Sequence, residues 1–318
     1  MLSICIVNYN NKALLQDCLK SIERTAADVP HETIVVDNAS QDGSAGMVRE
    51  RFPRAAVLVS PNNAGYGAAL NQAIRRSRGD RLLFLNEDVE IRPGAIRTAV
   101  DFINSRSDAG IVGCRILDRN GETQRSCRSF PTPMNLLLES FYLDKLFPNH
   151  RWFGRPYLSH FRYDSVREVD VVLGAFMMVK RETVRDTGGF DERFFMYSDE
   201  SDFCLRARRA GWKTLYCPDA GIVHLGGEST KSKPGSYFIE LHKSHHRFIR
   251  KHHGLVALAA AKAVLLGGVW IRFVVHSVRL VLQGTGLAST MGADVRSSLH
   301  KYFSTLGWYL KTGLFFGS

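Results

Sequence analysis

The first third of the chain predicts an α/β fold with a mostly parallel, doubly wound sheet, on three observations. Short apolar runs alternate with amphipathic helical stretches, the pattern of βαβ units. Each run is continuously apolar, so both of its faces are to be covered, as in parallel sheets. Each run also ends abruptly on Asn or Asp, which places polar side chains along one edge of the sheet. In open α/β sheets that edge is where ligands bind.

The elements follow in order. Leu2–Val7 reads as the first strand and ends at Asn8-Tyr9-Asn10. Leu14–Arg24 carries apolar residues at 14, 15, 18, 19 and 22, one face of a helix. Thr33–Val36 is the second strand, ending in Asp37-Asn38-Ala39-Ser40, and Gly43–Arg51 a short helix. Ala56–Val59 precedes Pro61-Asn62-Asn63, and Gly65–Arg78 is helical. Leu82–Leu85 is the fourth strand and stops at Asn86-Glu87-Asp88; Gly94–Ser105 is the next helix. Any one polar strand end is ordinary turn chemistry, but four in succession on one edge make a cleft. Oxygen side chains there suit a hard divalent cation shared with phosphate oxygens. The alternative for 86–88 is a turn whose acids cap the following helix.

The middle of the chain is less regular. Ile111–Leu117 and Gln124–Phe130 flank Asp118-Arg119-Asn120-Gly121, a hairpin signal. Pro131–Asp164, rich in aromatics, Pro and Arg, reads as a mobile loop or subdomain over the cleft. Val169–Val172 and Phe176–Val179 are strands and Arg181–Thr187 a short helix. Tyr197-Ser198-Asp199-Glu200-Ser201-Asp202 opens a helix that ends before Gly211. Acids in its first turn and Arg206, Arg208 and Arg209 in its last complement the helix dipole; a carboxylate held there as general base is the functional alternative. An apolar stretch then ends on His224.

Charge divides the chain. Residues 231–318 hold 12 Lys and Arg against 2 acids, whereas the preceding 230 residues are nearly neutral. Gly254–Gln283 is strongly apolar, with Arg272, His276 and Arg279 on one helical face, the pattern of a helix lying in a membrane interface. A spanning or re-entrant helix and simple core packing are the other options. The basic residues would attract a membrane surface with anionic lipid. No nucleic acid is expected as partner, since the aromatic interleaving of such sites is missing. The six cysteines form no CxxC pair and suit buried thiols in a reducing compartment; no secretory signal is evident. Neither GxGxxG after the first strand nor GxxxxGK[ST] occurs, which argues against dinucleotide and P-loop folds.

Residues 1–230 resemble the inverting glycosyltransferases of family 2, with the GT-A fold, and most of all the bacterial rhamnosyltransferases of cell-wall and O-antigen assembly. The likeness rests on Ile6–Asn10, Val35–Ser44, Asn62–Gly67 with Asn71, Leu85–Val89, Gly188–Glu192, Phe195–Asp202 and His224. It implies a nucleotide-binding half at about 1–115, an acceptor half at about 116–230, and a membrane-associated tail at 231–318. In that scheme Val7, Asn8, Tyr9, Asn10, Asp37 and Asn38 would hold base and ribose. Asn62, Gly65, Asn71, Asn86 and Glu87 would line the nucleotide. Asp88, with His224, would bind Mg²⁺ or Mn²⁺ on the diphosphate, and Glu200, with Asp199 as rival, would be the base. Asp191 and Asp202 would stand on the acceptor side. Two departures are present: Asn86-Glu87-Asp88 lacks the first acid of the family's DxD, and Asp199-Glu200 reverses its Glu-Asp pair. The expected reaction moves a sugar, L-rhamnose as best guess, from a nucleotide-diphospho donor to a polyprenyl-linked saccharide at the cytoplasmic face of the membrane. Another hexosyl or N-acetylhexosaminyl transferase, or a non-catalytic sugar-nucleotide-binding scaffold, are the alternatives.

Overall fold

The computed structural model describes residues 1–226, 234–284 and 292–312. It divides into two units, Met1–Phe130 with Tyr157–Ser229, and Pro131–Pro156 with Thr230–Ser318.

In the first unit the expected alternation forms throughout: β1 (Leu2–Asn8), α1 (Lys12–Thr25), β2 (His31–Asp37), α2 (Ser44–Arg51), β3 (Ala55–Val59), α3 (Tyr66–Arg76) and β4 (Arg81–Asn86). A short β5 (Val89–Ile91), α4 (Ala95–Asn104) and β6 (Ala109–Leu117) follow, then β7 (Cys127–Arg128). The second unit interrupts here with α5 (Pro133–Ser140) and α6 (Leu143–Leu146). The first resumes with β8 (Arg167–Glu168), β9 (Val171–Val172), β10 (Phe176–Lys180), α7 (Arg181–Thr187), α8 (Asp199–Arg209) and β11 (Lys213–His224). The main sheet runs β3-β2-β1-β4-β10-β6-β11-β5, with β8 paired to β11. Strands β1 to β4 are mutually parallel, as are β6 and β11; β10 lies antiparallel between β4 and β6. Ile4, Ile6, Leu83 and Leu85 face a core built with Leu15, Leu19 and Ile22 of α1 and Ile96, Ala99 and Ile103 of α4. On the opposite face Phe84 meets Phe190 edge-on, and Phe190 stacks on Phe203 of α8 at 4.7 Å. Coverage of both faces accounts for the uninterrupted apolar runs.

The hairpin expected at 111–130 forms only at its turn. Asp118 and Glu122 close it and Thr123 bridges Leu117, but β7 pairs with β9 and not with β6. The partner of β6 on that side is β11, which carries a bulge at Pro218-Asp219-Ala220 between Cys217 and Gly221. A proline in a strand belongs at such a bulge. Beyond it β11 continues to pair with β6 and also takes β5, so that His224 stands opposite Val89. All six cysteines are buried and free.

The second unit is helical. Of residues 131–164, expected as a mobile loop or subdomain over the cleft, 131–156 contain α5 and α6 and belong with α9 (Pro234–Gly284) and α10 (Gly292–Thr312), whereas 157–164 belong to the first unit. Gly254 interrupts α9 with φ 82° and ψ −174°, a conformation open to glycine. Gly268 admits α5 so closely that a Cβ there would lie 2.6 Å from Ser140 Cβ. Of Arg272, His276 and Arg279, expected together on one face of an interfacial helix, only Arg279 is exposed. Arg272 donates to Glu139 O at 3.0 Å and lies over the Tyr142 ring, and the His276 ring packs on Tyr302. The cation at 272 thus caps the carbonyl end of α5. Exposed instead are Trp270, Ile271, Val274, Val275, Val278, Val281 and Leu282. Residues Gly235–Leu282 form a helix long and apolar enough to cross a membrane.

Replacing Gly268 with Leu should unseat α5. A loss of about 1–3 kcal/mol is expected for such overpacking, read as a lower urea midpoint with unchanged slope.

Candidate functional site

The parallel strands place Asn8, Asp37, Ser60 and Asn86 along one edge, because β1, β2 and β4 are paired in register (Asn8 opposite Asp37, Val7 opposite Asn86). Asn8 is fully buried and Asp37 2% exposed, so both need polar partners. Asn8 Nδ2 donates to Asp37 Oδ1 at 3.0 Å and to Ser40 Oγ at 3.1 Å. Ser40 Oγ also accepts from the Asn10 amide, and Asn10 Oδ1 accepts from the Gln41 amide. Asn10 and Ala39 have positive φ, so the two loops lock around one another in a tight bend. Asn38 ties this lobe to the next: Nδ2 donates to Asn63 Oδ1 and Gly65 O, and Oδ1 accepts from the Ala64 amide. Val7 is buried beneath, Tyr9 half-buried and Asn62 exposed.

Gly65 has φ +95° and ψ 171°, and a Cβ there would lie 2.3 Å from Phe195 O. That close approach lets the Tyr66 amide donate to the same carbonyl at 2.9 Å. Gly65 therefore docks the second acidic segment onto α3. In that segment Tyr197 and Ser198 both adopt left-handed backbone, φ 64° and 55°, just before α8. Consecutive non-glycine residues in this region are strained, a feature concentrated at functional sites.

The charges of both acidic clusters act on the Tyr66 phenol. It donates to Gly174 O at 3.0 Å, and burial together with the charges of Asp199, Glu200, Glu87 and Asp88 pushes its pKa well up. These carboxylates differ in environment. Glu87 turns away and accepts from Asn11 Nδ2 at the start of α1. Asp199 is 2% exposed, and burial followed by the Glu200 charge holds its pKa well above the usual carboxylate range. A proton shared within this adjacent pair therefore rests on Asp199.

Asp88 and His224 are 6% and 7% exposed, and His224 Nε2 lies 3.3 Å from Asp88 Oδ1. Backbone pairing holds them there: His224 opposes Val89 and the Leu225 amide donates to Asp88 O. Neither atom has a hydrogen-bond partner among the described residues. Gln124 grips His224 from the far side, its Nε2 donating to His224 O at 2.9 Å and its Oε1 3.2 Å from Nδ1. A cation shared between Nε2 and Oδ1 would satisfy both atoms. Adjacent octahedral ligands at about 2.1 Å stand about 3.0 Å apart, so the pair fits one hard cation. No group of three or more His, Cys, Asp or Glu side chains gathers for a metal among the described residues. Asp88 and His224 would thus hold a Mg²⁺ or Mn²⁺ only in company with phosphate oxygens and water.

Three expected site residues are engaged elsewhere. Asn71 clamps the 188–192 loop: Nδ2 donates to Phe190 O and Glu192 Oε1, and Oδ1 accepts from the Phe190 amide. Asp191 is forked to Arg193, and fully buried Asp202 pairs with Arg206 at 2.7 Å, bracing α8 from within. Conversely, Tyr66, Gln124, Asn63 and Ser40 are prominent here and were not singled out by sequence. Tyr66 and Ser40 lie inside segments that were, whereas Gln124 carries no local signal.

A family model, "Glycosyl transferase family 2", matches residues 3–187, and the chain belongs to this family. It is 29% identical over 86% of its length to an N-acetylglucosaminyl-diphospho-decaprenol L-rhamnosyltransferase of Mycobacterium tuberculosis, of which it covers 91%. It is 24% identical over 73% of its length to the rhamnosyltransferase WbbL of Escherichia coli, of which it covers 86%. In fold it is similar to the mannosyltransferase PcManGT of Pyrobaculum calidifontis, solved with GDP-Man and Mn²⁺. There the TM-score is 0.58 and the identity 18%, over 98% of this chain and 86% of that one. The fold is thus of GT-A type.

Two outcomes follow. Gly65→Ala should cost about 1–3 kcal/mol from its glycine-only backbone and a similar amount from the clash, measured by urea denaturation. Asp199→Asn should stabilise the protein at neutral pH. The folded state keeps a proton on Asp199 that the unfolded chain releases above about 3.8, so wild-type stability falls as pH rises through that window, by at most about 1.4 kcal/mol per pH unit. The variant's advantage should vanish near about pH 4 and be plain at about pH 7; equal differences at both would refute the shared proton.

Proposed function

We propose that the chain transfers a sugar, with L-rhamnose the first candidate, from a nucleotide-diphospho donor to a hydroxyl of a polyprenyl-linked saccharide, with inversion at the anomeric carbon. The carrying observation is the buried Asp88–His224 contact of 3.3 Å, with the charges of Asp88, Asp199 and Glu200 all acting on the Tyr66 phenol. That arrangement supports a diphosphate on one side and an acceptor hydroxyl on the other. The relatives support the sugar and the lipid-linked acceptor, since the Mycobacterium protein is named for both.

The residues divide the work as follows. Asn8, Asp37 and the Asn10–Ser40 lock would seat the nucleoside at the ends of β1 and β2. Asp88 and His224 would hold a Mg²⁺ or Mn²⁺ that neutralises charge developing on the leaving diphosphate. Glu200 would accept the proton of the acceptor hydroxyl as its oxygen attacks opposite the leaving group. Protonated Asp199 would add no second negative charge beside that base.

The test is release of nucleoside diphosphate from dTDP-, UDP- and GDP-sugars with Mg²⁺, Mn²⁺ or EDTA, acceptor lipid present. Glu200→Gln should lower kcat by about 10²–10⁴-fold, Asp88→Ala should remove the metal response, and Asp199→Asn should retain more activity than Glu200→Gln. Full activity in Glu200→Gln would move the base to Asp199. Turnover of UDP-N-acetylhexosamine in place of dTDP-rhamnose would favour the alternative donor, and no turnover of any donor the scaffold reading.

The second unit supports association with the cytoplasmic face of an anionic membrane. Positions 270, 271, 274, 275, 278, 281 and 282 form one exposed apolar stripe, about 18 Å long at 1.5 Å per residue. That is shorter than the hydrocarbon core of about 30 Å, so the stripe suits a helix lying in the interface, with Trp270 at one end. Val274→Ser with Val278→Ser should reduce co-sedimentation with phosphatidylglycerol vesicles several-fold more than high salt does; equal sedimentation would exclude this stripe.

A further inference from the structure

We propose that Gln124 is a positioning residue that fixes the ring of His224 as a ligand for a hard divalent cation, an inference that rests on the metal-assisted reading above. A main-chain carbonyl can only accept a hydrogen bond. The Gln124 group 2.9 Å from His224 O is therefore its NH₂, and the amide oxygen is what stands 3.2 Å from the ring Nδ1. An amide oxygen can only accept, so Nδ1 carries the hydrogen. In the neutral ring the lone pair then lies on Nε2, aimed at Asp88 Oδ1 3.3 Å away. One side chain thus settles both which nitrogen is free and where it points.

Gln124 is itself held for this task. Its amide donates to Ile116 O at 2.8 Å, and Thr123 bridges Leu117, the residue that β6 sets opposite Val223. Gln124 and His224 thus approach through a shared strand, and the 118–122 turn sets the reach of the side chain. The residues on either side of the ring play opposite parts: a neutral acceptor behind it and a carboxylate before it. Ligating histidines are commonly oriented by an acceptor on the second nitrogen, and loss of that acceptor costs about 10–100-fold in metal affinity.

The experiment is Mn²⁺ titration with dTDP present, followed by electron paramagnetic resonance, on wild type, His224→Ala, Gln124→Met and Gln124→Glu. Wild type should show hyperfine coupling to an imidazole nitrogen that is absent in His224→Ala. Gln124→Met should bind Mn²⁺ about 10–100-fold more weakly and lose most of that coupling, whereas Gln124→Glu, which still accepts from Nδ1, should restore both. A purely structural clamp would lower the melting temperature of Gln124→Met and leave coupling and affinity intact. That result, with coupling still lost in His224→Ala, overturns the role of Gln124 alone. Absence of nitrogen coupling in wild type overturns the metal reading with it. Should Gln124→Met fail to fold, Gln124→Asn, one methylene too short to touch both atoms, makes the same comparison.

Discussion

The charges of four carboxylates, Glu87, Asp88, Asp199 and Glu200, all act on the half-buried Tyr66 phenol, and three of these acids are themselves nearly out of reach of water. Like charges in such surroundings cannot all remain ionised without partners. Each acid is relieved differently. Glu87 is drawn back to Asn11, Asp199 keeps its proton, and Asp88 faces the Nε2 of His224. Glu200 is left half-buried beside Asp199. The chemical roles proposed for these residues follow from that sorting more directly than from their order in the chain.

Holding such a pocket together requires stiff surroundings, and the neighbouring residues provide them. Gly65 lets a backbone carbonyl approach where no other residue fits, Asn71 staples the 188–192 loop, and Arg206 neutralises the buried Asp202 one helical turn away. The left-handed pair Tyr197–Ser198 survives because both of its ends are fixed, by Phe195 O against Tyr66 and by the first turn of α8. Strain there is the consequence of turning a carboxylate pair inward at a helix start.

Much of this was legible in the sequence, for a physical reason. Strands buried on both faces announce themselves as unbroken apolar runs, so β1 to β4 and their polar ends could be placed within a residue or two. The hairpin misled because Asp118–Gly121 determines a turn and not the partner of the strand beyond it; Cys127 found Val172 instead. Asn71, Asp191 and Asp202 are engaged with Phe190, Arg193 and Arg206, partners that polar type alone does not announce in the sequence. Gln124 was invisible for the same reason: its significance lies in a contact 100 residues away. The basic tail was misjudged at Arg272, where a cation caps a helix within the fold.

The departure at Asn86 acquires a meaning in this setting. With Asn86 neutral and Glu87 turned toward Asn11, Asp88 is the acid that faces His224 Nε2 among the described residues. A further acid at 86 would add a fifth negative group to a pocket that already spends a proton and an amide hydrogen bond on relieving four. On the proposed reading, cation retention in such a pocket would depend on the geometry of its neutral ligand and on charge brought by the diphosphate. A site with so little charge of its own would place its demand for precision on the angle of one imidazole, the angle that the Gln124 amide is proposed to hold.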